Sequence, residues 1–404
     1  MNVRRSAVAV LAAIAVAGVG AVPAVAAGPS PSASTPDGLY GSGDPQYDGV
    51  WRQSLALLAQ HTVKVTPAAE AVEWLTSQQC ADGAFPAFRP DPAKACDAKT
   101  VTDTNSTAAA VQALAALGGH DDVVKGAVGW LRGVQNKDGG WGYNAGGPSD
   151  ANSTSVVIGA LAAAGTDPGS VVKGGKKPTD ALLTFALPCG TAAKDAGAFA
   201  FQPDKGKLVA NPDATAAAVL GALGKGLVAE AGKATGNADG CGAKTPAQGA
   251  AHGAGYLTRA LAKDGHLTSA LAGADPQPDY GNTADAVVAL AAQGGADKAA
   301  KPLAWLEQNS AAWAKQSGPA AYAQLILAAH ATGSDPRHFG EADLVTQLNA
   351  TGPAPQEKKA QEKPQEKKDE GSGFGVWWFV GVCLVFGIGI GFLLSGRNKK
   401  SPRP

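Results

Sequence analysis

Four short clusters of Asp, Asn, Ser and Thr recur along the chain: "DTNST" from Asp103, "DANST" from Asp150, "NPDAT" from Asn211 and "YGNTA" from Tyr280. Carboxylates and amides grouped this way can hold a polar ligand. They can equally cap helix N-termini, where side-chain oxygens accept hydrogen bonds from free backbone N–H groups. Cysteines offer a second chemistry, disulfide formation or thiolate ligation of a metal. Cys383 falls in a C-terminal apolar run, which leaves Cys80, Cys96, Cys189 and Cys241 with three possible pairings. Cys80 and Cys96 bracket a single loop, and Cys189 and Cys241 lie within one later repeat, so that pairing is favoured. No C-x-x-C spacing supports a metal, and no metal ligands are assigned. The chain carries no Gly-x-Ser-x-Gly elbow, no phosphate loop and no His-Glu-x-x-His sequence. Its formal net charge of zero leaves no electrostatic footprint for nucleic acid.

The elements that would position these residues repeat as well. "WLTSQQCADGAFPAF" begins at Trp74, and "WLRGVQNKDGGWGYN" begins at Trp130, 56 residues later. Each unit runs through an amphipathic helix to an aromatic-Leu pair, passes a Gly turn, and reaches an Asp/Asn-Ser/Thr cluster. A second helix then starts, Ala-rich and apolar on nearly every side, as in "AAAVQALAALG" and "SVVIGALAAAG". Helices apolar all round are buried, whereas amphipathic ones cover a core. A period of this size denotes stacked helical hairpins. Inner helices are expected to begin near Asp48, Asp103, Asp150, Asp213, Asn282 and Pro319. Outer helices are expected near Ala68–Gln79, Val123–Gln135, Thr179–Leu187, Gln248–Ala262, Ala299–Asn309 and Glu341–Asn349.

The two ends have their own character. Arg4 and Arg5, an apolar stretch and Ala24-Val25-Ala26 have the form of a cleavable signal peptide over 1–26, followed by a flexible Pro/Ser segment, 27–36. The repeats occupy 37–352. A charged Lys/Glu/Pro stalk covers 353–373, an apolar run 374–394, and a basic tail 395–404. At 1.5 Å per residue the run can span a hydrocarbon core of about 30 Å as one transmembrane helix, and the basic tail belongs on the cytoplasmic side. The expectation is an exported, cell-surface body anchored by a single membrane pass.

"KGAVGWLRGVQNKDGGW", Lys125–Trp141, resembles the QW repeat of the prenyltransferase and squalene cyclase superfamily, also described as the prenyltransferase/squalene oxidase or terpenoid cyclase repeat. Trp130, Gln135, Gly139 and Trp141 carry it here, and Trp74, Gln79, Gly83 and Phe85 carry it in the first copy. Later copies keep Gly197 and Phe199, then Tyr256, Leu257, Asp264 and Gly265, then Trp305 and Leu306. The resemblance implies an all-α fold, an (α/α)6 barrel or toroid of six inner and six outer helices. It also implies that the Gln amides satisfy backbone groups at neighbouring helix ends, with the aromatics packed over them.

The activities of that superfamily lack their residues here. No Asp-x-Asp-Asp acid is present; Asp121-Asp122 sits where an outer helix begins and suits the helix dipole. A zinc triad around Asp239 and Cys241 would need a His on an inner helix, and His252 and His266 lie on or beside an outer one. Gly240-Cys241-Gly242 departs from a thioester sequence. The barrel domain of cobalamin carriers of the intrinsic-factor and transcobalamin type is a further, non-catalytic likeness, although no strand-rich second domain is seen here. No cofactor is required, and cobalamin is a conceivable bound ligand.

With inner helices pointing one way, their N-termini converge on one rim, where six dipole ends favour a polar ligand. The candidate rim residues are Trp51, Asp103, Asn105, Tyr143, Asp150, Asn152, Asp213, Tyr280, Asn282 and Tyr322. Three functions compete: a membrane-anchored extracellular ligand-binding module that serves a neighbouring membrane transporter, a terpenoid cyclase or prenyltransferase with an unrecognised acid, and an adhesive scaffold whose axis is filled by side chains.

Overall fold

The computed structural model describes residues 36–357, apart from Thr235 and residues 270–274. The signal-like segment 1–26, nearly all of 27–36, the stalk from 358 onward, the apolar run 374–394 and the basic tail lie outside the described residues. Among the described residues, no helix is long and apolar enough to cross a membrane.

Six helices pack in a closed cycle: α1 (Gly49–Thr62), α3 (Thr104–Leu117), α5 (Ala151–Ala163), α7 (Pro212–Ala222), α9 (Tyr280–Gly294) and α12 (Pro319–Thr332). Each touches the next, and α12 returns to α1. They are the Ala-rich, all-round apolar segments of the sequence, and their Ala side chains let neighbouring helices approach closely. A second helix lies against each of them: α2 (Ala69–Ser77), α4 (Asp121–Gly133), α6 (Pro178–Leu183), α8 (Pro246–Leu261), α10 (Ala296–Asn309) and α13 (Leu344–Asn349). These are the amphipathic segments; α4, for example, buries Ala127, Val128 and Leu131 and exposes Arg132.

Two features depart from six inner and six outer helices. A further helix, α11 (Ala311–Ser317), is inserted between α10 and α12, and a short antiparallel hairpin pairs β1 (Leu267–Ser269) with β2 (Gln277–Asp279). Helix α6 also stops before its expected end at Leu187. The Phe185 carbonyl accepts from Ala200 N–H at 2.9 Å, and Leu187 N–H donates to Ala198 at 2.9 Å, so a strand-like pairing competes for that backbone.

The repeat motif is a fastener made of backbone contacts. Asp82-Gly83-Ala84-Phe85 and Asp138-Gly139-Gly140-Trp141 recur as Ala196-Gly197-Ala198-Phe199 and Asp264-Gly265-His266-Leu267. In each copy the last residue donates its N–H to a threonine on the following ring helix. Phe85 donates to Thr107 at 2.9 Å, Trp141 to Thr154 at 3.1 Å, Phe199 to Thr215 at 2.9 Å and Leu267 to Thr283 at 3.0 Å. The N-terminal Asp37-Gly38-Leu39-Tyr40 is one more copy, in which Tyr40 N–H donates to Gln53 Oε1 at 2.9 Å. The glycines adopt positive φ and abut backbone: a Cβ on Gly83 would lie 2.2 Å from the Gly126 carbonyl oxygen, and one on Gly139 2.4 Å from that of Lys177.

The amides of both motif glutamines bond to backbone carbonyls. Gln79 Nε2 donates to the carbonyls of Gly83 (3.0 Å) and Val123 (2.8 Å), and Gln135 Nε2 to that of Gly139 (2.8 Å). Trp141 is buried and its Nε1–H donates to the Leu131 carbonyl at 2.7 Å. Trp74 is buried beside Phe88, their ring centroids 6.4 Å apart, while Trp130 is only partly buried against the core. Cys80–Cys96 and Cys189–Cys241 form the two disulfides that the spacing favours.

After α7 the chain turns inward as a strap. Leu227 N–H donates to Gln112 Oε1 of α3 at 2.7 Å, and Gly226 passes so close to α5 that a Cβ on Gly159 would sit 2.5 Å from its Cα. Gly232 N–H then donates to the Ala291 carbonyl near the end of α9 at 2.9 Å. The strap thus crosses the C-terminal half of the ring.

The isosteric Thr154→Val substitution tests the fastener, because it deletes the acceptor and strands a buried N–H. A loss of about 1–3 kcal/mol is expected, measured by urea denaturation. Thr154→Ser, which keeps the oxygen, should recover most of it.

Candidate functional site

A cavity of about 280 Å³ is lined by Trp51 and Leu55 of α1, Asn105 of α3, Asn152, Ser155 and Val156 of α5, and Asp213, Ala217 and Leu220 of α7. Asp285 and Val288 of α9, Gln324 and Leu327 of α12, and Lys225, Gly226 and Leu227 of the strap complete its wall. A space touched by all six ring helices lies on the ring axis. The axis is therefore not filled by side chains, as an adhesive scaffold would have it.

Helical register decides which residues face inward. Asp103, Asp150 and Asn211 cap α3, α5 and α7, accepting from the N–H of Ser106 (2.6 Å), Ser153 (2.7 Å) and Ala214 (3.0 Å). Two residues beyond each cap stand Asn105, Asn152 and Asp213, all in the cavity wall. Four residues further is one helical turn, so those positions share the inward face. Val156 and Ala217 occupy that second tier on α5 and α7. On α9, capped by Asp279, and on α12, capped by Gly318, the same tier holds Asp285 and Gln324.

The sequence-derived rim residues thus divide. Trp51, Asn105, Asn152 and Asp213 come together in the cavity. Asp103 and Asp150 are buried caps outside its lining. Tyr143 is 47% exposed and gives its carbonyl to Thr104 N–H at 2.9 Å. Tyr280 is sandwiched between Trp305 and Trp313, with centroids 5.1 and 5.4 Å away. Asn282 donates to Asp279 at 2.8 Å, and Tyr322 is buried in the hydrophobic core. The sequence reading missed Asp285, Ser155 and Gln324. The signal for them was the count from the helix start: Asp285 and Gln324 each stand six residues after the N-cap position, and Ser155 five after Asp150.

The polar wall is incompletely paired. Asn152 Nδ2 donates to Asp213 Oδ2 at 2.8 Å, but the Oδ1 atoms of Asn152 and Asn105 and the Ser155 hydroxyl are buried without a partner. Gln324 Nε2 lies 3.4 and 3.3 Å from the two carboxyl oxygens of Asp285. Burial drives the Asp285 carboxyl up to about 7, helped by the negative charges of Asp213 and Asp279 and opposed by Gln324. What remains accessible of Asp285 faces the cavity. Burial also raises Asp213, against its hydrogen bond from Asn152, and raises Asp103 to about 6, against the hydrogen bonds from Ser106. A carboxyl that holds its proton near neutrality can deliver it or exchange it for another cation.

Asp285 binds its proton more tightly folded than unfolded, so the stability it contributes is fully present below about pH 4 and is lost as pH rises through about 7, by at most ~1.4 kcal/mol per unit for one group. Asp103 adds a decline of the same sign, ending near pH 6. Urea midpoints between pH 5 and pH 8 should therefore decline in the wild type and decline less in Asp285→Asn. Identical declines would show that Asp285 does not titrate in this range.

No family model matches the chain, and no curated protein matches it. Among solved structures, a protein from Actinoplanes aligns at 14% identity with a TM-score of 0.50, over 74% of this chain and 95% of the other. An ent-copalyl diphosphate synthase from Streptomyces platensis aligns at 15% identity with a TM-score of 0.45, over 70% of this chain and half of that chain. The Actinoplanes likeness is one of fold.

Proposed function

We propose that the chain is an exported, membrane-anchored binding protein: an (α/α)6 barrel that holds a small molecule in its axial cavity. The carrying observation is the wall itself, to which all six ring helices contribute and in which buried polar atoms stand unpaired beside aliphatic side chains. Such atoms cost about 1–3 kcal/mol each when left unsatisfied, and a ligand or ordered water removes that cost. Two disulfides accord with an oxidising compartment. Cobalamin is far bulkier than about 280 Å³, so it could engage only the rim, and a smaller ligand suits the interior. Delivery to a membrane transporter is the role we infer for an anchored binder.

A second reading, acid-initiated cyclisation of a prenyl-type chain, rests on Asp285, a carboxyl held protonated up to about 7 amid Leu and Val side chains. Trp51 is the single aromatic residue in the cavity lining, which gives little π surface for a carbocation. Binding is therefore the stronger reading.

Mass spectrometry of the purified protein should reveal a co-purifying molecule small enough for the cavity of about 280 Å³. Ala217→Phe, which fills the cavity from α7, should abolish its capture while leaving the melting transition in place. Retention of the molecule by this variant would place the binding site elsewhere, and turnover of a prenyl diphosphate that Asp285→Asn abolishes would favour the enzyme. For the anchor, a chain ending at residue 373 should appear in the culture medium, whereas the full chain should sediment with membranes.

A further inference from the structure

We propose that the axial cavity takes a small primary amine with an apolar body, held as its ammonium ion between Asp213 and Asp285; this rests on the reading of the cavity as a ligand site. The amide of Asn152 is already committed to Asp213, and that of Gln324 to Asp285. The wall still offers acceptors, the two carboxyls and Asn152 Oδ1, together with the Ser155 hydroxyl and the Asn105 amide, which can donate as well as accept. Ser155 is only 4% exposed and its oxygen has no partner. Donation by Asn152 Nδ2 to Asp213 fixes which face of that amide is left over, so its unpaired atom is the oxygen. A ligand that donates can meet the two carboxyls and Asn152 Oδ1.

Charge narrows the class. Among the described residues, neither Asp213 nor Asp285 forms an ion pair with a cationic side chain. Asp213 faces Asp285 from α7, Asp279 adds a third carboxyl from the cap of α9, and α12 contributes only the neutral Gln324. Helices α8 and α10 pack against α9 without placing a charged side chain in the lining; Lys225 on the strap is the one cation there, and it is exposed. An anion would add to the repulsion, and a neutral molecule would leave it. An ammonium group relieves it, supplies three donors, and can draw on the ring of Trp51. Leu55, Val156, Leu220, Val288 and Leu327 suit an alkyl body. Because Asp285 must be ionised to pair with it, binding should expel a proton and strengthen with pH.

Calorimetric titration of the full chain in detergent with n-butylammonium, 1-butanol and butyrate tests this. At pH 8, butylammonium should bind at least about tenfold more tightly than the other two, the least expected of a charge-assisted hydrogen bond. Asp213→Asn and Asp285→Asn should each erase that preference. Unchanged butanol binding in both would show that the cavity has kept its shape. Lowering the pH from 8 to 6 should weaken butylammonium binding in the wild type and not in Asp285→Asn. If butanol or butyrate binds as tightly as the ammonium, the charge inference fails and the binding cavity survives. If none of the three binds, both fail.

Discussion

One hydrogen bond, repeated four times, holds this architecture together: the N–H that ends each Gly-x-apolar turn, donated to a threonine on the next ring helix. In three of the four copies the same threonine donates to the carbonyl of its own helix cap, Thr107 to Asp103 at 2.7 Å, Thr215 to Asn211 at 2.7 Å and Thr283 to Asp279, while Thr154 donates to the Trp141 carbonyl at 3.2 Å. A single hydroxyl thereby ties an outer turn to the start of an inner helix. The tie fixes the height and the rotation of the four ring helices that carry it, α3, α5, α7 and α9. Everything at the centre follows from that rotation.

With rotation fixed, Asn105, Asn152 and Asp213, two residues after their caps, and Asp285 and Gln324, six after theirs, face the axis. Evenly apolar residues there would close the ring around a dry core. Instead Asn105, Asn152, Asp213, Asp285 and Gln324 sit among Leu and Val, and their desolvation opposes folding. The ring tolerates this because its other faces are packed with Ala, Leu and Val around the whole circuit. The placement of strained polar groups in the best-packed part of a molecule is the usual mark of a site that stability alone would not produce.

Most of the fold was legible in the sequence because its signals are local. Caps, terminating glycines and the contrast between all-apolar and amphipathic helices located all six ring helices, and the Cys spacing favoured the two disulfides that form. The exceptions have non-local causes. Helix α6 yields to a pairing between Phe185 and Ala200, and α11 lies between two helices the repeat already accounts for. The site was half legible. Asn105, Asn152 and Asp213 were found through the polar clusters, whereas Asp285 and Gln324 stand alone in apolar helices. Tyr322, expected at the rim, stands two positions before the cavity-lining Gln324, a rotation of roughly 200° on a helix, and so packs in the core.

The ends of the body meet along one seam. Gly41 N–H donates to Thr351, Gln60 donates to Asn349 at 2.8 Å, and Gln356 N–H donates to Thr66 at 3.0 Å, just beyond the end of α1. Closure of the ring gives every repeat a neighbour, so the body has no terminal repeat needing a polar cap of its own, unlike an open solenoid. The seam also sets an orientation. The chain departs past the C-terminal end of α1, while the first turns of the ring helices, with Asn105, Asn152 and Asp213, lie at the other end of the axis. The polar tier and the closing seam therefore occupy opposite ends of the described body.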